Sequence, residues 1–251
     1  MSFADHFSGH AAAYAAYRPT YPAGLPAFVA ALPVPPADHR LAWDCATGNG
    51  QAAHGIVEHF ARVIATDASP QQLAQAAPHP RIEYRVAAAE SSGLPDASID
   101  LVTAGQAVHW FDFDRFYAEV RRVLAPGGAL AVWTYDYARI GREVDRLVDR
   151  LAHETVGPYW PPGRRWVDEE YRTLPFPFDE VPAPRFELHE RWPLDRFAGY
   201  LRTWSAVQRY RTAKGEDPVE ALLPELAAAW GDPSAAKDVR WPIFVRAGRR
   251  H

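Results

Sequence analysis

The chain has 251 residues, 48% of them hydrophobic and 23% charged, with a formal net charge of −4. That length and apolar content can bury a full core, as one large domain or one domain with a cap. The charge balance offers no overall basic field for nucleic acid or an anionic membrane, and the lone Cys45 excludes an intramolecular disulfide or a multi-cysteine zinc site. No apolar run approaches the roughly 20 residues that span a bilayer. The opening MSFADHFSGH lacks the basic and apolar regions of a signal peptide, so a cytoplasmic protein is expected.

In chain order, LAWDCA (41–46) reads as a buried strand and 50–60 as a helix. RVIATD (62–67) is a second strand, followed by a helix over 69–77 with Ser69 at its N-cap and Pro70 in its first turn. Strands follow at 81–87 and 99–105, then a helix over 112–124 that Pro126-Gly127-Gly128 terminates, and a strand at 129–135. Alternating strands and helices with near-continuous apolar strands predict a parallel, doubly wound sheet covered on both faces. The second half differs. A helix is expected over 141–156, a proline- and aromatic-rich insertion over 157–184, a strand at 186–194 and a helix over 195–210. A helix over 217–230 is expected to break or kink at Pro224, and 239–250 to be an edge strand because Pro242 cannot donate to a ladder.

The stretch DCATGNGQAA (44–53) leaves the first strand as a glycine loop that can cradle a nucleotide-like ligand on backbone amides. Gly48, Gly50 and Ala53 fit G-x-G-x-x-A, a dinucleotide fingerprint; Asp44, Gly48 and Gly50 fit most of D-x-G-x-G-x-G, the loop of S-adenosylmethionine (SAM) enzymes. Asp67, at the end of the second strand, can accept ribose hydroxyls in either case. Three features favour SAM. Asp44 would gain nothing beside a pyrophosphate, Ala89-Glu90 follows the third strand where adenine would lie, and RRVLAPGGALAVWTY (121–135) has a helix, Pro-Gly-Gly turn and strand.

Together DCATGNGQ, VIATDAS, AAAESSGLPDASIDLV, GQAVHWFD and VLAPGGALAVW resemble a class I SAM-dependent methyltransferase over residues 40–135. The flanking YRPTYP, VGPYWPPGRRWVDEEY and GYLRTWSA are similar to the small-molecule methyltransferases related to trans-aconitate methyltransferase. The resemblance implies a Rossmann-like, mostly parallel seven-stranded sheet in one domain. Within it, 1–36 would form N-terminal lid helices, 37–138 the SAM-binding core, and 139–251 a substrate cap with the final strands. It implies that Gly48 and Gly50 back the methionine and ribose of SAM, and that Asp67 holds the ribose diol. Ala68 would flank adenine, Ala89 and Glu90 would contact its end, and Gln106 and Ala107 would lie beside the methyl. Ala46 stands where the commoner loop has glycine, so the loop is expected to be altered if its φ is positive.

For the second substrate, His109 and Trp110 leave the fourth strand at its carboxyl edge, as base and as pocket wall. The plainer alternative for His109 is a histidine that holds the loop. In YAAYRPTYP, Tyr14, Tyr17, Arg18 and Tyr21 could form a lid with Arg18 on the SAM carboxylate, or simply a packed helix. In the insertion, Tyr159, Trp160 and Trp166 surround Arg164 and Arg165, whose forks suit a carboxylate; the alternative is pairing with Asp168, Glu169 or Glu170. Tyr200, Arg202 and Trp204 could join that cap. His54, His59, His79 and His153 lack metal spacing, so no metal is expected. The expected activity is methyl transfer from SAM to a small-molecule acceptor, on the oxygen of an organic carboxylate, with S-adenosylhomocysteine as product. The rivals are an N- or hydroxyl O-methyltransferase with His109 as base, an NAD(P)-dependent oxidoreductase, and a SAM binder without catalysis. Neither nucleic acid nor membrane is an expected partner, and the chain is expected to be a monomer or homodimer.

Overall fold

The computed structural model describes residues 17–34 and 41–250. A sheet is built on β1 (Leu41–Cys45), β2 (Arg62–Asp67), β3 (Ile82–Val86), β4 (Ile99–Gly105) and β5 (Leu124–Tyr135), all parallel. Three further strands are β6 (Asp179–Val181), β7 (Phe186–Trp192) and β8 (Lys237–Arg249). The order is β3-β2-β1-β4-β5-β8, and β8 runs antiparallel to β5. Both β6 and β7 pair antiparallel with β8, β6 along 247–249 and β7 along 237–243. They are one interrupted strand, so eight strands fill seven positions. Alternate residues face opposite layers, Ala42, Val63 and Leu101 one way and Trp43, Ile64 and Val102 the other. Both layers are covered, which explains the unbroken apolar strands.

One face packs against α1 (Gly24–Ala30), α2 (Gln51–Ile56) and α5 (Arg142–Arg150). The same layer continues in α7 (Leu194–Arg202), α8 (Ser205–Lys214) and α9 (Pro218–Trp230). The other face packs against α4 (Phe113–Val123) and the stretch after α6 (Arg164–Asp168). Between β2 and β3, α3 (Pro70–Leu73) is a single turn. Ser69 caps it as expected, but the helix stops short of residue 77, with Pro78 and Pro80 close behind.

Other sequence expectations change. The helix α4 ends at Val123 and β5 starts at Leu124, so Pro126-Gly127-Gly128 lies inside β5, where the ladder with β4 shifts register, and not in a turn before it. The strand β8 is internal, not an edge. Its ladder with β5 ends at Tyr135↔Ile243, so Pro242 lies one residue beyond it and there supplies only a carbonyl, to Asp136 N–H at 3.3 Å. The helix expected over 195–210 breaks, because Trp204 takes an extended conformation (φ −65, ψ 133). There the Thr203 hydroxyl bonds the Tyr200 carbonyl (2.6 Å), a local competitor of helical bonding. The insertion is not wholly irregular, since it holds α6 and β6. Finally, α9 runs unbroken through Pro224, with Asp217 as its N-cap. Of the expected lid over 1–36, residues 1–16, Tyr14 among them, and 35–36 lie outside the described residues. No helix among the described residues is long and apolar enough to cross a membrane.

Candidate active site

The carboxyl edges of β1, β2 and β4 carry the first half of the site. Asp44, one residue before the end of β1, is fully buried, its Oδ2 accepting the Thr47 hydroxyl (2.5 Å) and its Oδ1 the Thr103 hydroxyl of β4 (2.7 Å). Desolvation outweighs these bonds and raises its pKa to about 6. Through Thr47, Asp44 anchors the loop that follows β1. That loop turns on three left-handed residues, Ala46 (φ 51), Gly48 (φ 58) and Gly50 (φ 86). Ala46 thus adopts the conformation that glycine tolerates best. The Gly48 N–H donates to Asp67 Oδ2 (2.9 Å) while the Ser69 N–H donates to Oδ1 (2.8 Å), so Asp67 ties the loop to the cap of α3. A side chain built on Gly50 would lie 2.5 Å from the Tyr84 hydroxyl, whereas one on Gly48 would meet nothing nearer than Gln72 Oε1 at 3.9 Å. The space over Gly48 is open to a ligand.

Ala68 and Ala89 line the same edge, half-buried and buried, and Glu90 accepts the Asp112 N–H (3.1 Å) at the start of α4. Burial pushes the Cys45 thiol well up, and the carboxylates of Asp44, Glu90 and Asp67 push the same way. Three acids therefore bear on one edge, a field that suits a cationic sulfonium and its ammonium and opposes a pyrophosphate. Among the described residues no group of His, Cys, Asp or Glu is arranged to hold a metal.

The second half is a cavity of about 70 Å³ at the ends of β4 and β5, roofed by the cap. Gln106 enters it in a left-handed conformation (φ 56), its Nε2 donating to the Tyr135 carbonyl (3.2 Å) and its Oε1 accepting the Thr134 hydroxyl (2.9 Å). Ala107 is buried behind it. The single turn Val108–Trp110 brings His109 and Trp110 to the wall, their rings 5.0 Å apart. Burial, and then the Arg164 charge, lower the His109 pKa to about 3, so the imidazole is neutral. From the cap, Leu151–Thr155 widens α5 into a π turn, and the Ala152 carbonyl accepts the Trp160 indole N–H (2.9 Å). The break after Thr203 delivers Trp204, 5.7 Å from Trp160.

Arg164 packs against the Tyr137 ring (4.3 Å) and the Trp160 ring (4.5 Å), which are themselves 6.3 Å apart. Its Nε bonds Asp168 (2.7 Å), as the plainer alternative had it, while its Nη2 is buried without a hydrogen-bond partner and lies 3.8 Å from Asp136. Arg18 reaches the same cavity; its Nη1 donates to the Tyr135 hydroxyl (2.6 Å) beside the Tyr200 ring. Two guanidiniums, Arg18 and Arg164, and one carboxylate, Asp136, thus line the cavity. Arg165 instead covers Trp166 (4.3 Å), Tyr159 packs on Tyr210 (5.1 Å), and Arg202 pairs with Asp217 and Glu220 (2.7 Å each). None of these three lines the cavity. The sequence reading passed over Tyr135, Asp136, Tyr137 and Tyr171. Tyr135 ends β5 and Asp136 and Tyr137 follow it directly in WTYDY, and the carboxyl-edge rule that picked out β4 would have found them there too.

The chain matches known proteins over this whole frame. Residues 43–132 fit a family described as a methyltransferase domain. An inferred methyltransferase of Dictyostelium discoideum is 32% identical over 250 residues, covering 97% of this chain and 94% of its own. An inferred type II methyltransferase from Anaeromyxobacter dehalogenans superposes with a TM-score of 0.85 at 50% identity, over 93% of this chain and 98% of that one. The phosphoethanolamine N-methyltransferase 2 of Haemonchus contortus, solved with S-adenosylhomocysteine, shares the fold at a TM-score of 0.51 and 16% identity, over 100% of this chain and 61% of its own. With relatives of this class matched along nearly its whole length, the chain belongs to the class I SAM-dependent methyltransferases.

Proposed function

We propose that the enzyme methylates a carboxylate oxygen of a small organic acid bound between Arg18 and Arg164. The observation that carries this reading is the buried, unbonded Nη2 of Arg164 in a cavity lined by a second guanidinium. An unsatisfied buried donor costs about 1–3 kcal/mol, which a carboxylate would return. Two aromatic rings pack against the Arg164 guanidinium and shield it from water, which strengthens pairing with a carboxylate.

SAM supplies an electrophilic methyl on a positively charged sulfur. For its binding, Asp67 would take the ribose diol, Gly48 and Gly50 the backbone approach, and Ala68, Ala89 and Glu90 the adenine side, with Gln106 and Ala107 beside the methyl. The acids around Cys45 and the open space over Gly48 support that placement. The remaining task of the chain is to orient the acceptor and exclude water, which supplies several kcal/mol of the barrier. A carboxylate, with a pKa of about 4, is already the nucleophile, so no proton need be taken. The neutral His109, with a pKa of about 3, is a weak base, which supports an acceptor that needs none.

The test is a panel of carboxylic acids with radiolabelled SAM. The expected product is a base-labile ester, and base-stable label would overturn the reading in favour of transfer to nitrogen or a hydroxyl. Arg164→Gln should raise the KM for the acid by about tenfold to a hundredfold, through loss of a charge-assisted bond, while leaving SAM affinity unchanged.

A further inference from the structure

His109 leaves β4 on a single helical turn, but what fixes its ring comes from 62 residues downstream. The Tyr171 hydroxyl lies 2.7 Å from His109 Nδ1, and the two rings are 6.0 Å apart. Tyr171 is fully buried and left-handed (φ 60), directly after Glu170 in the same conformation (φ 58). Two consecutive side-chain-bearing residues in that region persist only where the surroundings over-determine them. Here the Tyr171 N–H donates to the Trp166 carbonyl (2.8 Å), and the Arg246 guanidinium of β8 donates to the carbonyls of Tyr171 (3.2 Å) and Leu174. At the other end of the same segment, a Cβ on Gly163 would stand 2.3 Å from the His109 carbonyl oxygen. Residues 163–171 therefore grip both the main chain and the ring of His109.

We infer that Tyr171 is a positioning residue of the acceptor site: its phenol donates to His109 Nδ1, fixing the imidazole as its Nε2–H tautomer and leaving that N–H for the acceptor. A neutral imidazole has one donor nitrogen and one acceptor nitrogen, so a bond at Nδ1 decides what Nε2 carries. Burial keeps the Tyr171 phenol protonated and His109 neutral, so the pair shares one hydrogen bond without charge. The direction of donation rests on the carboxylate reading. A lone pair on Nε2 would face the acceptor's negative charge, whereas an N–H donates to it.

The experiment is nitrogen-15 NMR of the histidines in the full-length enzyme, without acceptor, for the wild type and Tyr171→Phe. The wild type should show His109 locked as Nε2–H, and Y171F should show both tautomers in exchange. In a double-mutant cycle, Y171F should lower kcat/KM about tenfold, as expected for one lost hydrogen bond, but have no effect in a His109→Ala background. A mixed tautomer in the wild type, an unchanged His109 signal in Y171F, or an equal loss in both backgrounds would overturn the inference. A wild-type ring locked as Nδ1–H would overturn the direction of donation. Should Y171F fail to fold, the wild-type spectrum alone decides. If the tautomer is locked and released as stated but no acid is methylated, the carboxylate reading fails and the positioning role stands.

Discussion

At the scale of single residues, two buried titratable groups pull the stability of this protein in opposite directions with pH. The Asp44 carboxyl has a folded pKa of about 6, above its ordinary 3.8, because burial disfavours the carboxylate. The native state then binds the proton more tightly than the unfolded chain, so this group removes stability as pH rises from about 4 to 6, on the order of 2–3 kcal/mol in all. His109 does the reverse. Its folded pKa of about 3 lies below the ordinary 6.5, so the unfolded chain takes the proton first, and stability present above pH 6.5 is lost as pH falls towards 3. Denaturant midpoints at pH 4.5 and 7 separate the two. Asp44→Asn should gain on the wild type at pH 7 relative to pH 4.5, and His109→Gln should gain at pH 4.5 relative to pH 7. Curves parallel to the wild type would show that neither group titrates as its surroundings imply. Of these groups the sequence could locate both but rank neither, because both shifts come mainly from burial, which distant parts of the chain create by packing, with the Arg164 charge adding to it at His109.

Among the elements, what positions the chemistry is close contact between the cap and the end of β4. Gly163 has φ −65 and ψ −16, a conformation any residue adopts, so glycine is required there only by proximity. A methyl at that position would need the His109 main chain or the start of α6 to retreat, since the obstructing atom is backbone, 2.3 Å away. Gly163→Ala should therefore lower kcat/KM by about tenfold or more at temperatures where the fold is intact, because small misplacements near a reacting centre are costly. SAM affinity should stay the same, since the glycine loop lies on other strands. Full activity in this variant would show that cap and loop do not need to touch. The order of helices and strands up to β5 was legible from local periodicity, caps and turn residues, as at Ser69 and Pro70, although the end of α3 and the start of β5 were not. The break at Thr203 was not, because it depends on one hydroxyl choosing the Tyr200 carbonyl. Nor was the placement of β8, because Pro242 could be read as an edge residue without knowing that the β5 ladder ends one residue before it.

For the molecule as a whole, the sheet divides the work. Its β1–β3 edge gathers acids around an open loop, and its β4–β5 edge gathers guanidiniums and aromatic rings under the cap. The first half could be read from the sequence because its residues sit at strand ends that announce themselves. The second was only partly readable, since Arg18, Tyr135, Arg164 and Tyr200 are brought together by packing of the cap on the sheet. A cation-favouring edge makes a prediction about the whole fold. A ligand that binds only the native state at about 100 times its Kd adds about 2.7 kcal/mol of stability, which for a chain of this size raises Tm by roughly 5–10 °C. SAM and S-adenosylhomocysteine should each produce such a shift, and NAD, with its pyrophosphate, should produce none. In Asp67→Ala the SAM shift should shrink to what an affinity at least about tenfold weaker allows, because the variant loses both the proposed diol acceptor and the anchor of the Gly48 N–H. Asp67→Asn keeps an acceptor for one amide and should fall between the two. An unchanged SAM shift in Asp67→Ala would remove Asp67 from the cofactor site, and a shift with NAD comparable to that with SAM would show that the acids around the loop do not select the cation.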